Sequence, residues 1–368
     1  MDSKNRHKPD YLLLLTTLAL LAIGVVMVYS SSAVKAHLEF DDPFHFLKRQ
    51  LGWSALGIAT LLGAMNFDYE KLHPFAKPIL YVALALLVVV KIPGVGREIN
   101  GAVRWIGLGP LSLQPSEVIK LVMIIFLARI LAVNPEKIKG FVRGLLPPLC
   151  LLGVVAGLIM LQPDLGTTLA IAGTTFMMLI AAGARWGHIG ALGAGGVALV
   201  VAAIAAAPYR INRILAYLNP WSDPSGKGYQ TIHALLALGS GGLFGLGFGQ
   251  SRQKFLYLPE SHTDFIFAII GEELGVLGGT VVVLLFIIFA WRGFKTAMSA
   301  PDTFSCLMAV GLTSMVTIQA GLNIGVVSGL LPVTGITLPF VSYGGSSLLF
   351  TMAAVGVLLN ISRFSLNK

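Results

Sequence analysis

LPESHTDFIFAIIGEELGVLGGTVVVLLFIIFA, residues 258–290, decides the fold. Its first six residues end a polar, basic loop, and the remainder is apolar for long enough to cross a bilayer as a helix. Asp264 stands at the junction, where water, lipid headgroups and protein interior meet. A carboxylate there can act on a substrate whose polar head lies at the membrane surface while its tail stays in lipid.

Outward from this stretch the same texture repeats. The chain has 368 residues, 55% hydrophobic and 12% charged, with a mean hydropathy of +0.81. A soluble domain carries roughly twice that share of charge. Backbone groups in lipid must bond internally, and the alternation of barrel strands is absent, so the spans are helices. The pattern predicts an all-α polytopic membrane protein of ten transmembrane helices, near 11–29, 50–66, 78–92, 117–133, 146–161, 166–183, 188–207, 264–291, 304–330 and 345–361. One domain covers 1–368, with a long extracytoplasmic loop at about 208–263 between helices seven and eight. Lys4, Arg6 and Lys8 precede the first run as in a secretory signal, but the run is longer than a signal core and nine spans follow, so an uncleaved anchor is expected.

The net charge of +9 does not point to nucleic acid. Most of the excess falls on one set of alternating loops, the positive-inside bias, which places both termini in the cytoplasm. Cys150 and Cys306 fall near cytoplasmic helix ends and are expected to form neither a disulfide nor a metal cluster. Within the long loop, 229–248 is apolar but rich in glycine, and a re-entrant or interfacial helix keeps the charge bias consistent.

Polar residues gather on the outer side. The loop 91–116 brings Arg97, Arg104 and Gln114 before a helix that opens with Glu117 and Lys120 on one face. Either the Glu interacts with the helix dipole while the Lys snorkels outward, or the two pair inside the bundle. The segment 331–347, LPVTGITLPFVSYGGSS, cannot be a regular helix. Its Ser346 and Ser347 either cap the last helix or help its N-terminus hold an anion. Asp164 reads as a helix cap. Glu272 and Glu273 lie deeper and point to different sides, which suits structural bonding, and His262 is given no part in proton transfer. Ser261-x-x-Asp264 also fits a capping box, a structural alternative for Asp264 itself.

Several of these segments, with KRQ (48–50), NGAVRWIGLGPLSLQPSEVIK (100–120), QPDLGT (162–167) and NRILAYLNPWSDP (212–224), resemble the SEDS family (shape, elongation, division and sporulation) over nearly the whole chain. The wording is closer to its division and sporulation members than to its elongation members. The resemblance implies a glycosyltransferase of the bacterial cytoplasmic membrane that polymerises lipid II on the outer face. It also implies a class B penicillin-binding protein as partner, among other divisome or elongation membrane proteins.

It further implies Asp264 as the catalytic aspartate, the general base for the acceptor hydroxyl, with Glu117 and Lys120 as its electrostatic setting. Candidates for binding the substrate and its pyrophosphate are Lys48, Arg49, Arg97, Arg104, Gln114, Arg210, Arg213, Ser342 and Ser346. No motif specifies a metal, although a divalent cation (Mg or Mn) is compatible with the chemistry. The competing function is a transporter that flips lipid II; it would place polar residues near the bilayer midplane.

Overall fold

The computed structural model describes residues 7–99, 102–108, 111–133 and 135–365. In chain order come α1 (Tyr11–Phe40), α2 (His45–Asn66), α3 (Leu72–Val89), β1 (Gly96–Ile99), β2 (Ala102–Leu108), β3 (Leu111–Leu113), α4 (Pro115–Val133), α5 (Leu146–Met160) and α6 (Leu165–Ala181). Then follow α7 (Trp186–Ala205), α8 (Pro208–Leu218), α9 (Tyr229–Gly241), α10 (Ile266–Met298), α11 (Thr303–Val327) and α12 (Gly345–Ser362). Among the described residues, seven helices are long and apolar enough to cross a membrane. They are α1, α3 with its preceding turn, α5 with its preceding turn, α7, α10, α11 and α12. Helices α2, α4 and α6 coincide with three further expected spans. They are less apolar or shorter: α6 has 17 residues, and α4 carries Glu117, Lys120 and Arg129.

Helices α11 and α12 form the centre, each mostly buried, whereas α7 is almost wholly exposed. Helix α2 packs along α12, and α10 along α11, α9 and α1. Close approach is visible at Gly24, where an added Cβ would stand 2.5 Å from the Phe340 carbonyl.

The all-α expectation fails at one place. The loop after α3 folds into an antiparallel sheet in the order β1-β2-β3, with Arg97 opposite Trp105 and Ile106 opposite Leu113. Valine, tryptophan and isoleucine in Ala102–Leu108 suit a pleated surface, and the pairing satisfies backbone groups that a loose loop would leave unbonded.

The Gly-rich run also has a definite form. At 13 residues, α9 spans about 20 Å, too short for a hydrocarbon core of about 30 Å. The residues after it repair a break in α10 at Gly275 (φ 68°, ψ −168°). There Leu246 N–H donates to Glu272 O (2.9 Å) and Gly247 N–H to Glu273 O (3.1 Å), while Val276 and Leu277 N–H donate to Gly242 O and Leu243 O. The loop thus takes the place of the missing helical partners, the condition under which a span tolerates irregular backbone. Gly245 is required: an added Cβ would lie 2.1 Å from Glu273 O, at φ +83°.

Candidate active site

Asp264 sits in the last turn before α10, outside the span that starts at Ile266. The helix is capped by Phe265 without any side-chain bond, so the capping-box alternative is excluded. Backbone bonds fix the residue instead. Asn323 Nδ2 on α11 donates to Asp264 O (2.7 Å) and to Ile336 O (2.7 Å). Ser342 Oγ donates to Thr263 O (2.6 Å) and accepts from Leu338 N–H (2.8 Å). Tyr343 N–H donates to His262 O (2.9 Å). The segment 331–347 is therefore tied to 262–264 directly at Ser342 and Tyr343 and, through Asn323, at Ile336.

The Asp264 carboxylate itself, half-buried, makes no hydrogen bond or ion pair among the described residues. Gly335, at φ +74°, faces it: a Cβ there would lie 3.6 Å from Oδ2. Burial pushes the Asp264 carboxyl up to about 7, helped by the negative charges of Glu260 and Asp164 and opposed by Arg104 and Arg213. Backbone strain surrounds it. Leu256 (φ 66°) and Glu260 (φ 54°) precede it, and Phe340 (φ 65°) lies in the facing loop. Each such residue costs about 1–3 kcal/mol and persists only where surrounding bonds hold it.

The other candidates divide. Lys120 Nζ lies 2.8 Å from Glu117 Oε2 and donates to Gln319 Oε1 (2.7 Å), all three side chains buried. The pair therefore faces inward, and the snorkelling alternative falls. The cavity beside Lys120 is small, about 10 Å³, and mostly apolar, room for about one water. Gln319 Nε2 continues to Thr337 O (3.0 Å), linking the pair to the loop that faces Asp264.

Arg104 donates to Gln162 O (2.8 Å) and Pro163 O (2.6 Å) and stands 4.0 Å from Asp164. Asp164 caps α6 through Thr167, so this cation is largely engaged by the turn it braces. Arg213 donates to Val333 O (3.1 Å). Ser346 is not a cap, since Gly344 occupies that place without a side-chain bond. Its hydroxyl ties Ser112 O (2.6 Å) to Gln114 N–H (3.3 Å), joining β3 to α12. The Ser346 hydroxyl is thus engaged, while the anion reading rests on the backbone N–H groups at the start of α12, which no capping side chain covers.

Four basic candidates are not brought to Asp264 by any bond. Lys48 pairs with Asp42 at 2.8 Å, and its hydrogen bond holds the Asp42 carboxyl below the usual range. Arg210 turns back to Ala203 O (2.7 Å). Arg49 and Arg97 are exposed, and the Arg97 guanidinium lies over Gly107.

Glu272 and Glu273, both fully buried, form a clasp. Glu273 accepts from Ser30 Oγ (2.7 Å), Lys254 Nζ (2.9 Å) and Ser251 N–H (3.3 Å). Glu272 accepts from Ser251 Oγ and from Arg252 N–H (2.9 Å). His262 packs against Phe46 and Tyr343 with ring centroids 4.7 and 5.7 Å away. Burial and Lys35 push it down to about 4, which keeps it neutral. Among the described residues, no group of three or more His, Cys, Asp or Glu is placed to hold a metal ion.

Gln319 and Asn323 were missed by sequence reasoning. They are polar, four apart, in the mostly apolar α11, and that spacing on one helical face was the available signal.

The chain as a whole matches a known group. The FtsW, RodA and SpoVE family of cell cycle proteins matches residues 11–367. The chain belongs to that family. It is 53% identical to Stage V sporulation protein E of Bacillus subtilis over 360 residues, covering 98% of both chains. It is 44% identical to a probable peptidoglycan glycosyltransferase FtsW of Geobacter metallireducens, covering 98% of this chain and 96% of that one. Among solved structures it resembles Thermus thermophilus RodA, with a TM-score of 0.72 at 31% identity and 98% of each chain covered. It also resembles a chain of a peptidoglycan synthase complex that coordinates polymerization and crosslinking, with a TM-score of 0.80 at 33% identity, covering 98% of this chain and 99% of that one.

Proposed function

We propose that the chain is a peptidoglycan glycosyltransferase that polymerises lipid II, with Asp264 as general base. The observation that carries the reading is a half-buried carboxylate with no partner, fixed by its own and neighbouring carbonyls and raised to about 7. A base is most effective when its pKa lies near the working pH. Asp264 takes the proton of an acceptor sugar hydroxyl as that oxygen attacks the donor's anomeric carbon. The bond from that carbon to the diphosphate oxygen breaks, and polyprenyl diphosphate leaves with the electron pair.

Glu117, Lys120 and Gln319 act behind the base, as a buried network holding the 331–347 loop in register. A divalent cation, if required, would be held by substrate phosphates with at most one or two carboxylates of this chain, a coordination that suits Mg²⁺. Ten spans, cytoplasmic termini and an outward site in a single domain complete the arrangement. The names of its relatives favour sporulation or division, and the synthase complex it resembles supports a crosslinking class B penicillin-binding protein as partner. A flippase is the weaker reading, because the polar groups around Asp264 collect at helix ends rather than in the middle of spans.

The test is purified protein, with its partner, incubated with labelled lipid II and separated into polymer and monomer. Wild type forms polymer, and Asp264→Asn loses at least about 10²-fold in rate, the lower bound for a positioned base. Unchanged yield and chain length in that variant would remove Asp264 from the mechanism.

A further inference from the structure

A cavity of about 390 Å³ opens between α8 and α9 and reaches Val333, on the loop that faces Asp264. Asn212 and Arg213 of α8, Lys227 of the intervening turn and Gln230 and Thr231 of α9 line it, with Val333 at one side. Thr231 is 8% exposed. Its hydroxyl, the Asn212 and Gln230 amides and the Lys227 ammonium make no hydrogen bond or ion pair among the described residues. Polar side chains around a recess leave a desolvation cost that a ligand or water must offset.

The lining is positive as well as polar. Arg213 and Lys227 both border it, and no carboxylate does among the described residues. Asp223, the acid of the same turn, folds over Gly226 and accepts the Lys227 backbone N–H (3.0 Å). Helix α9 starts here with no capping side chain, so its first-turn N–H groups add a positive end. Outside the cavity, α8 and α9 expose Leu215 and Leu236, an apolar flank for a lipid tail. Val333 is two residues from Gly335, which faces Asp264, and Arg213 acts on both segments.

We propose that this cavity binds the diphosphate of a polyprenyl-linked saccharide, so that the leaving group's charge develops between Arg213, Lys227 and the start of α9. The assignment rests on the glycosyltransferase reading above. A phospholipid headgroup offers the same phosphate chemistry and is the alternative source.

Calorimetric titration of the full chain in uncharged detergent separates them, with farnesyl diphosphate, farnesyl monophosphate and dioleoylphosphatidylglycerol as probes. Diphosphate should bind about ten-fold more tightly than either of the others, and Lys227→Gln and Thr231→Val should each weaken it about five-fold. Lys227 is exposed, so its variant should keep the wild-type melting temperature. Equal affinity in both variants, equal binding of the phosphatidylglycerol, or no binding at all would overturn the proposal. Lys227-dependent diphosphate binding by a wild type that forms no polymer would sink only the glycosyltransferase reading. Polymer formation with Lys227-independent binding would sink only the subsite.

Discussion

Asp264 and the pair Glu272–Glu273 lie within nine residues of one another, yet their carboxylates meet opposite fates. The pair is fully buried and saturated by Ser30, Ser251, Arg252 and Lys254. Asp264 is only half-buried, and no side chain or backbone N–H reaches its oxygens among the described residues. Buried charge with a full set of partners is structure; charge left without them, on a strained turn held by other bonds, is available for chemistry. The clasp also serves the bare carboxylate, since it ties the Gly-rich loop to the first turns of α10 and so fixes the helix that follows Asp264.

Variants at the two places should therefore fail in opposite ways. Glu273→Gln strands Lys254 and should cost about 3–5 kcal/mol, the usual penalty for breaking a buried pair, visible as a large drop in melting temperature in detergent. A wild-type melting temperature there would mean that the clasp holds nothing. The inner pair gives a milder version of the same test. Lys120→Met should destabilise, and adding Glu117→Leu should recover most of the loss, because the second change removes the stranded charge. Equal melting temperatures for the single and double variants would contradict that account.

Asp264→Asn should behave differently. The folded protein holds the Asp264 proton up to about pH 7, against 3.8 for an ordinary aspartate. Stability from this group is therefore complete below about pH 4 and is lost as pH rises through 7. The variant should match wild type at pH 4 and melt higher than wild type at pH 8. For the proposed reaction the sign is the reverse: the base must be ionised, so log rate should rise with pH below about 7 and level off above it. A flat rate between pH 5.5 and 8.5 would break the link between that proton and catalysis. The smallest effect is expected at Gly335→Ala, where φ +74° disfavours any side chain by about 1 kcal/mol. A melting curve unchanged from wild type would contradict that strain.

Much of this was legible in the chain. Apolar runs placed α1, α10, α11 and α12, and Glu117 with Lys120 could be seen to share a face. The three-residue spacing could not say whether that face turned to lipid or inward; Gln319 on another helix, 199 positions away, decided it. The capping signals at Asp264 and Ser346 left two readings open for a similar reason. A carboxylate or hydroxyl near a helix start fits a local bond equally well whether or not a distant segment competes for it, and at Ser346 the carbonyl of Ser112 won. The sheet at 96–113 was hidden because its strands are three to seven residues long and interrupted by glycine and proline, too short for alternation to show.

What the order of residues determined alone is the solvent: so few charges and so many long apolar runs admit only helices in a bilayer, because unbonded backbone is too costly in lipid. It also set Asp264 at a boundary. Only the folded arrangement decided which polar groups were consumed by one another and which were left without a partner among the described residues. That outcome depends on distances between residues hundreds of positions apart, and hydrogen bonds are short enough for such distances to settle it.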